Sequence, residues 1–229
     1  DEERVLIRNG LGHPRYHVRR AAMTYLVERN EAEDRAALLN MVRDPGADVR
    51  LAWAELMGRH KWSEAEPLLV SLLSDDRDFS LDRYHGPSRG WPRYSVARAA
   101  ARALAAFGTL TEASIHALIG SRCSEDPFVF CAAIGAIAKR GDPRVPTVLR
   151  EALDDPGLHD DADYRVVAQA AVWGFFDRAV DGLAIEPAAI EKLRLVALTE
   201  PGWLAGPTLV ALGISGGAVR EPLYDDLMA

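Results

Sequence analysis

The stretch PRYHVRRAAMTYL at residues 14–26 returns as PRYSVARAAARAL at residues 92–104, with eight of thirteen positions identical. Duplication at a separation of 78 residues marks an internal repeat. An internal repeat confines a chain to architectures assembled from like units. Counted from Val18, apolar or small residues fall at +3, +4, +7 and +8: Ala21, Ala22, Tyr25 and Leu26. That spacing is one face of an α-helix. The same offsets give Ala52, Trp53, Leu56 and Met57 from Val49, and Ala99, Ala100, Ala103 and Leu104 from Val96. From Val129 they give Ala132, Ala133, Ala136 and Ile137, and from Val167 they give Ala170, Ala171, Gly174 and Phe175. Position +3 is Ala in all five windows, which predicts that another helix approaches closely there.

Second amphipathic segments lie between these windows. They are EAEDRAALLNMVRD, SEAEPLLVSLLSDD, TEASIHALIGS, DPRVPTVLREALDD and IEPAAIEKLRLVALTE. Ser63, Thr111 and Asp142 suit helix N-caps, and Pro143 suits a first helical turn. Asn30, Gly108 and Gly141 stand at +12 from their origins, where a left-handed C-cap is expected. No β alternation of useful length appears. One helix pair cannot bury its apolar face alone, so pairs must stack. The expected fold is all-α: a right-handed α-solenoid of about five to six helical hairpins, forming a single domain over residues 1–229. One long inter-repeat loop is expected at about 75–91, and the C-terminal repeat, 187–229, is divergent. The first pair looks incomplete, with ERVLIRNG upstream, and GWLAGPTLVALG is the candidate for a sixth pair.

DPGADVRLAWAELMG and GDPRVPTVLREALDDP resemble HEAT repeats, particularly the bacterial kind related to phycobilisome-lyase repeats. The Asp-Pro turn, the Val-Arg opening of the second helix and the Ala-rich inner face carry the resemblance. It covers most of residues 10–175. Val129 is followed by Phe130 and Val167 by Ala168, so an Asp–Arg ladder between repeats is expected to break in the C-terminal half. The resemblance implies second helices lining a concave face, and it specifies fold far better than function. Its main implication is a protein-binding scaffold, adaptor or regulator. Two alternatives follow from the same resemblance: a HEAT-like DNA-binding protein or DNA glycosylase, and a bilin-lyase-like chaperone subunit.

Positions +2, +6 and +9 lie opposite the expected core stripe. Position +2 reads Arg20, Leu51, Arg98, Cys131 and Gln169; +6 reads Thr24, Glu55, Arg102, Gly135 and Trp173; +9 reads Val27, Gly58, Ala105, Ala138 and Phe176. The candidate partner-binding residues on this face are Arg20, Arg98, Arg102, Gln169, Trp173 and Phe176. They suit an acidic protein or peptide with apolar anchors. Arg15 and Arg93 either mark one ridge of the groove or merely accompany Pro turns with Tyr16 and Tyr94 packed between repeats. The 47-residue spacing between Val49 and Val96 hides an insertion, DDRDFSLDRYHGPSRGW. Its Tyr84, His85, Arg89 and Trp91 suit partner recognition, and equally a loop folded over its own array.

The sequence has no HExxH, P-loop, GxSxG or dinucleotide-binding fingerprint, so no catalytic residue, metal site or cofactor is assigned. DDPGLHDDADYR lacks the ligand offsets of a calcium loop and reads as a solvated acidic turn, with a weak divalent-cation site as the alternative. His13 and His17 are separated by Pro14 at a helix entry, which works against a shared helical face. Cys123 and Cys131 read as two buried thiols in a reducing cytoplasm, with a disulfide or redox pair as the alternative. A net charge of -7 argues against general nucleic-acid binding. The chain has no run of 18 apolar residues and begins DEER without an initiator Met or signal-peptide pattern. It is read as a trimmed or partial cytoplasmic chain that does not enter a membrane.

Overall fold

The structure is a computed structural model describing residues 2–75, 78–79, 94–121, 127–153, 165–199, 208 and 211. The protein is all-α and HEAT-like, built of packed helix pairs. It divides into two compact units, residues 1–124 and 125–229. The first unit runs α1 (Glu2–Asn9), α2 (Tyr16–Arg29), α3 (Ala32–Asn40), α4 (Ala47–His60), α5 (Glu66–Ser71), α6 (Val96–Ala105) and α7 (Glu112–Gly120). Its inner row is α2, α4 and α6, each packed on the next. The second unit runs α8 (Pro127–Ile137), α9 (Val145–Leu153), α10 (Arg165–Val180) and α11 (Pro187–Thr199). There α10 packs on both α8 and α9, and α9 on α11.

Each window expected from the Val origins falls on a helix, because Ala-rich sequence at a 3.6-residue period favours helix and supplies a face to bury. The expected stripe is buried at +4 and +8 in every inner helix and is wider than expected. Position +5 is buried in every inner helix: Met23, Ala54, Ala101, Ile134 and Val172. Ala21 and Tyr25, expected in the core at +3 and +7, are exposed. Positions +3 and +7 face the preceding inner helix, and α2 has none before it among the described residues. At +9, Val27, Gly58 and Ala138 are buried rather than presented to a partner, whereas Ala105 is exposed and Phe176 is half-buried.

Thr111 caps α7 by accepting a hydrogen bond from Ser114 N at 3.3 Å. Ser63 opens a 3-10 turn without a side-chain cap. Ser95, which sequence reasoning did not single out, caps α6 by accepting from Arg98 N at 3.1 Å. Asn30 is left-handed, with φ 51°, as expected, and Lys61 takes the equivalent +12 position with φ 55°. Gly108 and Gly141 do not have positive φ. The ends of the insertion meet: Asp78 and Phe79 pair antiparallel with Ser95 and Tyr94. Tyr84, His85, Arg89 and Trp91 lie outside the described residues, as do Arg93, Cys123, the acidic turn at 154–164 and most of the C-terminal segment.

The Val-Arg opening has a mechanical use. Arg19 donates to both carboxylate oxygens of Asp44, from Nε at 2.7 Å and from Nη2 at 2.8 Å. That hydrogen bonding is the chief reason the Arg19 guanidinium is held above its ordinary pKa. One repeat later, Arg50 Nε donates to Asp75 at 2.6 Å, and Arg50 Nη1 donates to the Asp44 carbonyl at 2.5 Å. The second unit uses different contacts. Arg144 hydrogen-bonds Asp142 and, above all other influences, lowers that carboxyl's pKa. Arg178, buried in α10, donates to the carbonyls of Ala138 at 3.3 Å and Arg140 at 2.8 Å, just past the end of α8. Burial lowers the Arg178 pKa.

Candidate functional site

The inner row of the first unit forms a groove. Between α4 and α6 it encloses about 430 Å³, lined by Glu55, Gly58, Arg59, Arg98, Ala99, Arg102, Ala103 and Ala106. Between α2 and α4 it encloses about 230 Å³, lined by Arg20, Thr24, Asp48, Leu51, Ala52, Glu55, Leu56 and Arg59. Glu55 and Arg59 line both parts, so the groove is continuous across three helices. In the first unit, positions +2 and +6 therefore line the groove, and +10 joins them through Arg59. Arg59 went unnoticed in the sequence, although it lies one helical turn beyond Glu55 and so on the same face.

Small residues set the groove floor. A Cβ added at Gly58 would stand 2.8 Å from the Ala103 Cα and 3.0 Å from its Cβ, so α4 and α6 touch almost backbone to backbone. We expect Gly58→Ala to lower stability by about 1 kcal/mol net. The overpacking cost of about 1–3 kcal/mol outweighs the roughly 1 kcal/mol gain in helix propensity. A thermal melt checks this, and a raised melting temperature would show that α4 and α6 can separate freely.

The groove walls are charged. Arg20, Glu55 and Arg102 are exposed and Arg98 is half-buried. The side chains of Arg20, Glu55 and Arg102 make no ion pair among the described residues. Arg59 approaches Glu28 at 3.5 Å. In the second unit, Trp173 is 45% exposed and its ring meets Phe176 edge-on, with centroids 5.3 Å apart. Gly174 beside it turns inward, where an added Cβ would lie 2.9 Å from Leu149 Cδ2. That close approach fixes the helix and leaves Trp173 outward. Gln169 and Phe176 are half-buried on the same helix. Arg20, Arg98 and Arg102 thus share one groove in the first unit, and Gln169, Trp173 and Phe176 belong to α10 in the second.

Among the described residues, no group of three His, Cys, Asp or Glu side chains is arranged to hold a metal ion. No described helix is long and apolar enough to cross a membrane. His13 Nδ1 accepts a hydrogen bond from Arg15 N at 3.1 Å, which ties it to the helix entry. Stacked hairpins with close-packed small residues along an inner row define an α-helical repeat protein. Residues 91–174 match the family model for HEAT repeats. No curated protein matches the sequence.

Proposed function

We propose that this protein is a non-catalytic adaptor or regulator that holds an acidic protein segment along the groove of its first unit. The observation that carries the reading is the cationic wall made by Arg20, Arg59, Arg98 and Arg102 over a small-residue floor. Such a wall steers and orients carboxylates, while the floor lets a backbone approach. Trp173 and Phe176, with Gln169 beside them, offer an apolar anchor surface in the second unit. Aromatic and Arg side chains carry a large share of binding energy at protein interfaces. Two cysteines in 229 residues fit work in the reducing cytoplasm.

The test is affinity capture from lysate in the presence of nuclease, with the native chain beside an Arg98→Glu/Arg102→Glu variant of matched thermal stability. We expect a captured protein to be lost from the variant by more than about tenfold, equivalent to about 1.4 kcal/mol. Equal capture by both would remove the groove from the interface. Recovery of nucleic acid alone, when nuclease is omitted, would replace the adaptor reading with a nucleic-acid one.

A further inference from the structure

We infer that Glu55 is the specificity-determining residue of this groove, selecting a partner segment in which one cation is set between carboxylates. The inference rests on the adaptor reading above. Glu55 is the one carboxylate among the described residues lining the α4–α6 part of the groove, and Asp48 joins it in the α2–α4 part. It is exposed and has no ion-pair partner among the described residues, although Arg59 stands one helical turn away. Arg59 approaches Glu28 instead. The unpaired carboxylate therefore sits between Arg20 on α2 and Arg102 on α6. Each of these Arg residues shares a stretch of groove wall with it.

Read across the helices at the level of Glu55, the wall presents a cation, a carboxylate and a cation, with Arg59 one turn further along α4. Packed helix axes lie about 8–10 Å apart, and an extended chain advances about 3.3 Å per residue. An extended segment crossing the row therefore meets each charge after about three residues. The complementary pattern is acidic, two spacers, basic, two spacers, acidic. A uniform polyanion gains from the arginines but meets repulsion at Glu55. Specificity is built this way, by pairing an attraction with a penalty for the wrong partner. Leu51 and the alanines of the floor leave room for apolar spacers.

The experiment is fluorescence anisotropy with three labelled probes. The patterned probe is Gly-Glu-Leu-Ala-Lys-Leu-Ala-Glu-Gly. The second replaces its Lys by Glu, and the third is a twelve-nucleotide single-stranded DNA. We expect the native chain to bind the patterned peptide about threefold to fivefold more tightly than the all-acidic one, the range an exposed ion pair supplies. Glu55→Gln should cancel or reverse that preference, and Arg102→Glu should weaken both peptides. Equal affinity of the native chain for both peptides, unchanged in Glu55→Gln, would overturn the role of Glu55. The groove reading would then stand if Arg102→Glu still weakened both. No effect of Arg102→Glu on peptides that do bind would defeat the groove reading itself. DNA binding tighter than either peptide, or no peptide binding at all, would overturn the inference.

Discussion

Trp53→Ala is expected to destabilise the first unit by about 4–5 kcal/mol, near the top of the range for truncating a large buried side chain. Trp53 is fully buried in α4. Its indole Nε1 donates to the Leu38 carbonyl at 2.8 Å, so one side chain both fills the core and ties α4 to α3. Truncation opens a cavity and removes that donor from a buried carbonyl. The Leu38 carbonyl keeps its bond from Met41 N, so the packing loss exceeds the hydrogen-bond loss. Trp53→Phe separates the two contributions, because it keeps most of the volume and loses the donor. It should cost about 1–3 kcal/mol. Urea unfolding followed by far-ultraviolet circular dichroism checks both variants without depending on the missing indole. A loss below about 2 kcal/mol for Trp53→Ala would show that the site collapses around the alanine.

The helices were legible because their apolar period is strong, and the turn at Asn30 because its residue type favours a left-handed cap. The extension of the buried stripe to +5 was not legible. Alanine at +3 counts as apolar in any pattern, yet its small side chain does not decide which flank is buried. Met23 and Val27 do decide it, and their meaning depends on a neighbouring helix about 30 residues away in sequence. The same blindness hid Lys61, which adopts a left-handed conformation despite being an unexceptional residue for that position. On the candidate site, the period placed Arg20, Glu55, Arg98 and Arg102 on one face. Wheel geometry alone could not say that +9 is buried at Val27, Gly58 and Ala138 or that +10 reaches the groove. The approach of α4 to α6 at Gly58 and Ala103 is likewise a property of two segments separated by the insertion. Neither segment states it alone.

Arg50→Met should cost about 3–5 kcal/mol, because it strands buried charge rather than because an ion pair adds much net stability. The Arg50 and Asp75 side chains are 3% and 8% exposed. Arg50 also donates to the Asp44 carbonyl, and the Asp44 carboxylate receives Arg19 from the repeat before. Each Asp therefore joins two successive repeats, and removing one guanidinium unsettles more than a single contact. Asp75→Leu should cost a similar amount for the converse reason, leaving Arg50 without its carboxylate. If stranded charge is the dominant cost, the Arg50→Met/Asp75→Leu double variant should be markedly more stable than the sum of the single losses requires. A coupling of about 2 kcal/mol or more in a double-mutant cycle is the expected result. Additive losses would instead mean that each side chain is held by its other neighbours and that the ladder links the repeats only geometrically. The pattern already breaks at Ala97 in α6 of the first unit and stays broken at Phe130 and Ala168. The second unit lacks the Val-Arg opening and places Arg178 on the carbonyls of Ala138 and Arg140 instead. A charged residue that acts chiefly through burial can be exchanged for another buried donor on a different helix. A strong coupling at Arg50 and Asp75 would show why α4 cannot make that exchange one residue at a time.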